Sequence, residues 1–326
     1  MTRLRIRKHL NASLVLLLWL AISAGLSARA GAHLGDRVYP IPYLSDEMLE
    51  QIQLDDGLVD EWYELVGEPT MSLLDFTEEL YQSPLDPSDI DFRIWLAWHD
   101  EPARLYVVFV ASDDVYKNTH DYSSSRDVIH FHDSIMLAID GDHSGGVGYS
   151  NSDQLEERIE AIGRAQYYEA ISRTVSGPTL NDLPYRVQVG QDSWRTVPPY
   201  AESGGGVAGE APVIWVIELY VTPFDRWGET WESPEGSVVS QFAAGKMIGF
   251  SVIVFAHDPP GDIERKDWAL DVQRSEESDT TLWNIFRQRA DTFLDGLLLP
   301  ADPAGPGDSA VASVSWGRIK ASLVIE

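Results

Sequence analysis

An all-β fold, an antiparallel sandwich with one or two short helices and long loops, is what this 326-residue sequence predicts. Long apolar runs rich in β-branched and aromatic residues point to it, as do the turn residues that bound them and the scarcity of helical periodicity. "FRIWLAWHD" (92–100) is followed, after Glu101-Pro102, by "RLYVVFVASDD" (104–114), the pattern of a hairpin. "DSIMLAIDGD" (133–142), "VIWVIELYVTP" (213–223) and "KMIGFSVIVFAHD" (246–258) are the next strands, and "VASVSWGRIKASLVI" (311–325) is expected to close the chain as a long one. Six such strands suit a jelly-roll or immunoglobulin-like sandwich. Helix is expected over "SDQLEERIEAIG" (152–163), where Leu155, Ile159 and Ile162 share one face behind Ser152 as N-cap. "AQYYEAIS" (165–172) returns to strand alternation, while "YAESGGGVAGEAP" (200–212) and "LPADPAGPGDS" (299–309) are expected as loops from their Gly and Pro content.

The amino terminus has the pattern of a secretory leader: Arg3, Arg5, Arg7 and Lys8 precede an apolar run from Ala12 to Leu26, then small residues. Cleavage is expected after Ala30, with Ala30-Gly31-Ala32 as the competing site. The run is short for a bilayer span of about 20 residues, and no second long apolar run follows, so no membrane insertion is expected after cleavage. Export to the periplasm or the medium follows from this reading. The expected division is a signal peptide over 1–30, an N-terminal extension over 31–53 and one sandwich over 54–326.

The chain has no cysteine, which rules out disulfides and thiolate metal sites. Its net charge of -28 becomes more negative when the leader's cations leave. Such a surface repels nucleic acid and anionic lipid, so neither is expected as a partner.

Four stretches occur in a telling order: "LDDGLVDEWYE" (54–64), "LYVVFVASDDVY" (105–116), "DSIMLAIDGD" (133–142) and "VIELYVTPFD" (216–225), with a glutamate inside its strand. With "GKMIGFSVIVFAHD" (245–258) and "WNIFRQRADTFLDGLLL" (283–299), the chain from about Asp55 to Leu299 resembles the family 9 carbohydrate-binding modules and their relatives. The resemblance implies an exported β-sandwich, alone or attached to a polysaccharide-degrading enzyme. It also implies structural calcium in some members and a sugar held between aromatic rings. The chain departs from the family at "HFHDS" (130–134), where His130 and His132 precede Asp133 in place of paired acids, and in inserts around 142–165 and 190–212.

"IDGDHSGG" (139–146) reads two ways. Asp140 and Asp142, with carbonyls of a glycine turn, supply part of a calcium shell of six to eight oxygens; equally, aspartates cap strand-end turns. Asp113 and Asp114 end a neighbouring strand and are further calcium candidates, at the same end of the sandwich as Asp140 or at the other. His130 and His132 lie two apart on one strand face and read two ways: with Asp133 or His99 as candidates for a transition-metal site, or as the polar alternation of a solvent-facing strand. Relatives of this sandwich type that hold haem make His130, His132 or Met247 candidate iron ligands in an electron-transfer alternative.

Eleven tryptophans are many for this length. Trp62, Trp95, Trp215 and Trp316 are expected in the core. Trp194, Trp227, Trp231, Trp268 and Trp283 lie in or beside loops and are the expected glycan-stacking rings. Glu218, inside an otherwise apolar strand, needs a partner, for which Arg226 or Lys246 is the candidate, a catalytic acid being the alternative reading. No Gly-x-Ser-x-Gly, His-Glu-x-x-His or phosphate loop occurs. The reading is an exported, non-catalytic carbohydrate-binding protein that binds a glycan or oligosaccharide, with calcium as its cofactor. A hydrolase acting on glycosidic bonds and a haem-binding electron-transfer subunit are the alternatives.

Overall fold

The computed structural model describes residues 37–78, 84–118, 132–146, 154–172, 194–228, 233–258, 265–270 and 290–301. Among these the strands are β1 (Val38–Ile41), β2 (Met71–Ser72), β3 (Phe76–Glu78), β4 (Ile90–Asp100), β5 (Ala103–Asp113), β6 (Ser134–Asp140) and β7 (Gln166–Ala170). β8 (Ala201–Ala208), β9 (Val213–Val221), β10 (Phe224–Arg226), β11 (Val238–Val239), β12 (Met247–His257), β13 (Arg265–Leu270) and β14 (Leu294–Leu298) follow. The α-helices are short: α1 (Asp46–Leu49), α2 (Asp60–Leu65) and α3 (Leu155–Arg164).

The strands form a sandwich, as the sequence predicts. One sheet has the order β2-β4-β5-β9-β8; in the other, β12 pairs with β6 along one edge and with β14 and β13 along the other. Side chains alternate across each sheet because the strand period is two. Phe92, Ile94 and Leu96 of β4, Val107 and Phe109 of β5, and Ile217 and Leu219 of β9 therefore face Ile135 and Leu137 of β6 and Phe250 and Val252 of β12 in the central core.

The long strands read as apolar throughout because their outer faces are covered as well. Trp62 of α2 and Leu44 pack on Trp95, Tyr106, Val108 and Tyr220, which form the outer face of the five-stranded sheet. Met136, Ala138, Ile253 and Phe255 meet Ala290 and Phe293 outside the other sheet. Trp62, Trp95 and Trp215 are fully buried, as expected.

The stretch 200–212, expected as a loop, contains a strand. β8 pairs with β9 from Ala201↔Val221 to Ala208↔Ile214, so pairing overrides its glycine content. Its glycines have a packing role: a Cβ on Gly204 would collide with the backbone of Leu54 and Asp55, which lie directly on it. The segment read as an N-terminal extension supplies β1, parallel to β14, and α1. Gln154 occupies the N-cap position of α3, while Ser152 lies outside the described residues, as do the strand 311–325 and Trp316.

Candidate functional site

The antiparallel register separates the sequence's acidic stretches. β6 starts opposite Phe255 and ends opposite Gly249, so Asp140 lies at one end of the sandwich and Asp133 at the other. Asp113 and Asp114 share the Asp133 end, about 20 Å from Asp140 by the rise of seven strand residues. The four aspartates named as calcium candidates thus fall into two groups.

At the Asp140 end, "IDGDHSGG" forms a turn tied by its own backbone. Asp140 is fully buried and accepts from the amides of Ser144 (3.2 Å) and Gly145 (2.7 Å); Asp142 accepts a second contact from Ser144 at 3.1 Å. His143, Gly145 and Gly146 take positive φ, which brings these amides round to the carboxylates. The His143 ring meets Asp295 at 2.8 Å, and the Gly146 amide donates to Asp291 at 2.6 Å, joining the turn to the approach to β14. Burial and the adjoining Asp140 carboxyl push Asp142 up to about 6.

Among the described residues, the opposite end brings together the carboxyls of Asp89, Asp113, Asp114, Asp133 and Asp258. Asp133, fully buried, accepts from the amides of Lys117 and His257 and so joins the β5–β6 connection to β12. Asp113 accepts from the Val115 amide at 3.1 Å and Trp215 Nε1 at 3.3 Å; burial, with Asp258 and Asp114 nearby, pushes it up to about 7. Asp89, Asp114 and Asp258 place a carboxylate oxygen each within 4.8 Å of one another.

His132 is buried at this end, one residue before Asp133; His130 lies outside the described residues. His99 lies at the other end, bonded to the carbonyls of Leu44 (2.9 Å) and Glu101 (3.1 Å). Met247 opens β12 whereas His257 beside Asp133 closes it, so Met247 and His132 also lie at opposite ends. Neither His99 nor Met247 joins His132 in one ligand set.

Of the tryptophans expected to stack on sugar, Trp227 is 2% exposed. Its ring packs 5.0 Å from Trp194 and 5.3 Å from Phe224, and the buried Arg195 guanidinium lies 4.5 Å over it. These partners cover the ring in a small satellite core. Trp194 is half-buried beside Tyr200. Trp268 belongs to β13 and not to a loop, in register with Val254 and Glu78. Trp231 and Trp283 lie outside the described residues.

Sequence reasoning missed the outer face of the five-stranded sheet. A pocket of about 380 Å³ opens there between the N-terminal segment and β5, β8 and β9. Its walls include Tyr106, Tyr220 and Arg104 on one side and Gln53, Asp55 and Glu202 around the rim. The Arg104 guanidinium stacks 3.9 Å over Tyr220, and Arg104 Nη1 donates to the Tyr106 hydroxyl at 3.4 Å. The alternation "RLY" against "ELY" was the available signal: both tyrosines fall on the outward phase of their strands, paired as Tyr106↔Tyr220.

Glu218 shares that face two residues from Tyr220. Arg226 donates to the Gly236 carbonyl and Lys246 to that of Gln241, so neither expected cation reaches it. Its Oε1 accepts from Trp62 Nε1 at 2.9 Å, and its Oε2 is buried without a hydrogen-bond partner. Burial and the nearby acids push Glu218 up to about 8 despite the Trp62 bond.

No protein-family profile and no curated protein matches this chain. Among solved structures it is similar to a carbohydrate-binding module of family 9 from Caldicellulosiruptor kristjanssonii in complex with cellotriose, at 14% identity and a TM-score of 0.45, covering 85% of this chain and 99% of that one. It is similar also to a family 9 module from the same organism in complex with glucose, at 13% identity and a TM-score of 0.46, covering 82% and 98%.

Proposed function

We propose that this chain is an exported, non-catalytic carbohydrate-binding protein. The observation that carries the reading is the outer-face pocket, whose volume of about 380 Å³ falls in the range of small-ligand sites. Leu49, Ile52 and the Arg104–Tyr220 stack supply flat and apolar surface for sugar C–H faces; Gln53, Asp55 and Glu202 supply donors and acceptors for hydroxyls. Of the tryptophans expected to hold the glycan, half-buried Trp194 is the second platform in this reading. Export rests on the leader sequence, and a polysaccharide-degrading enzyme is the partner class the reading implies.

Structural calcium is part of the proposal. Both oxygens of Asp140 are engaged by backbone amides, which supports the turn reading of "IDGDHSGG". Asp89, Asp114 and Asp258 fit a hard cation better, since their oxygens converge. There calcium would neutralise charge beside the raised Asp113 and Asp133.

The test is calorimetric titration of the mature protein with soluble oligosaccharides, repeated on Arg104→Ala, Glu202→Gln and Trp194→Ala. A tenfold or larger loss of affinity in the first two supports the pocket. Loss in Trp194→Ala alone transfers the site from the pocket to the Trp194–Tyr200 surface, and no saccharide binding by the parent protein overturns the function.

A further inference from the structure

We propose that Asp56, Glu61 and Glu218 form a second divalent-cation site, which fastens the N-terminal layer to the outer face of the sandwich. Each of the three places a carboxylate oxygen within 4.8 Å of the others. They come from separate parts of the chain: Asp56 from the loop before α2, Glu61 from the first turn of α2, and Glu218 from the middle of β9.

The convergence is built by the fold. Gly204 lies opposite Glu218 in the β8–β9 register, and the backbone of Leu54 and Asp55 rests on Gly204 while Gly57 rests on Gly206. A side chain at those strand positions would hold the loop away; glycine lets it settle beside Glu218. Asp56 Oδ1 accepts from the Leu58 amide at 2.8 Å, which fixes its carboxylate.

The second observation is an unmet requirement for charge compensation. Glu218 is fully buried, and its Oε2 has no hydrogen-bond partner; Glu61 Oε1 is buried and unpartnered as well. The Trp62 indole satisfies one of the four Glu218 and Glu61 oxygens, and the Gln53 amide bonds to Glu61. A buried unpaired carboxylate is costly, and two that face each other are costlier. A hard cation resolves this, because it takes oxygen ligands only and carries the charge to balance them. Calcium fits better than magnesium, since it accepts irregular shells completed by water on the exposed Asp56 side.

The proposal does not depend on glycan binding. It is tested with terbium, a calcium substitute excited through a nearby indole, and Trp62 lies in direct contact with Glu218. The parent protein is expected to give terbium emission on tryptophan excitation, displaced by calcium. Asp56→Asn, an exposed change that leaves the core intact, should weaken binding at least tenfold. Glu218→Gln, which keeps an acceptor for Trp62, should abolish the signal from this site, and its fold is checked by near-ultraviolet circular dichroism. In an Asp114→Asn background, which removes the Asp89–Asp114–Asp258 set at the far end of the sandwich, the part of the emission that depends on Asp56 and Glu218 should persist. Equal ion stoichiometry and equal emission in the parent, Asp56→Asn and Glu218→Gln proteins would overturn the site and leave Glu218 as a protonated acid.

Discussion

Replacing Gly204 by alanine tests whether the acidic N-terminal loop is seated on β8. The new methyl would stand 1.8 Å from the Leu54 carbonyl oxygen, 2.5 Å from its carbon and 2.6 Å from Asp55 Cα. Ordinary contact between carbon atoms is about 3.5–4.0 Å and only slightly less to oxygen, so the loop must recede by about 1.5 Å. Its neighbours are backbone atoms, which cannot swing aside as a side-chain tip would. Overpacking of this kind costs about 1–3 kcal/mol. Against it stands the entropy that alanine removes from the unfolded chain, about 0.4–1 kcal/mol where the backbone conformation suits it. The net expectation is a loss of about 1.3 kcal/mol, the difference between the midpoints of those two ranges. Gly206→Ala is the internal control, because its methyl would meet Gly57 Cα at 3.2 Å and needs only a few tenths of an ångström. Its two effects nearly cancel. Urea denaturation of the three proteins at unchanged m-value measures the difference. If Gly204→Ala is as stable as Gly206→Ala, the loop is not seated on the strand and the convergence of Asp56 on Glu218 fails with it.

Two further outcomes follow from the same structure. Raised carboxyls keep protons in the folded state that the unfolded chain releases near pH 4, so stability falls as pH rises through the folded values. With Asp142 pushed up to about 6, Asp113 to about 7 and Glu218 to about 8, the melting temperature in chelator should drop between pH 5 and pH 8. Calcium should flatten that drop; a rise with pH in chelator would refute the sign. Trp227→Ala, at a ring only 2% exposed, should cost about 3–5 kcal/mol in denaturant unfolding, the range for a buried aromatic. Unchanged stability with lost glycan affinity would show instead that Trp227 is a sugar platform.

The sandwich itself was legible in the sequence, because strands buried on both faces leave a long apolar record that no tertiary information is needed to see. β4, β5, β6, β9 and β12 lie within two residues or so of the runs that announce them. The burial of Trp95 and Trp215 was legible for the same reason: bulky rings inside such runs have nowhere else to go. β8 was not legible, since glycine content signals a loop locally and only pairing with β9 makes the segment a strand. Nor was the separation of Asp113 and Asp114 from Asp140 and Asp142, because which end of a sandwich an acidic turn occupies depends on strand direction and register. The exposure of the tryptophans was likewise undetermined: Trp227 looks like a loop residue until Trp194, Phe224 and Arg195 close over it. The sequence by itself determined which segments must be buried. Tertiary structure decided which carboxylates meet, because Asp56, Glu61 and Glu218 are neighbours only once a glycine strand admits the loop that carries the first of them.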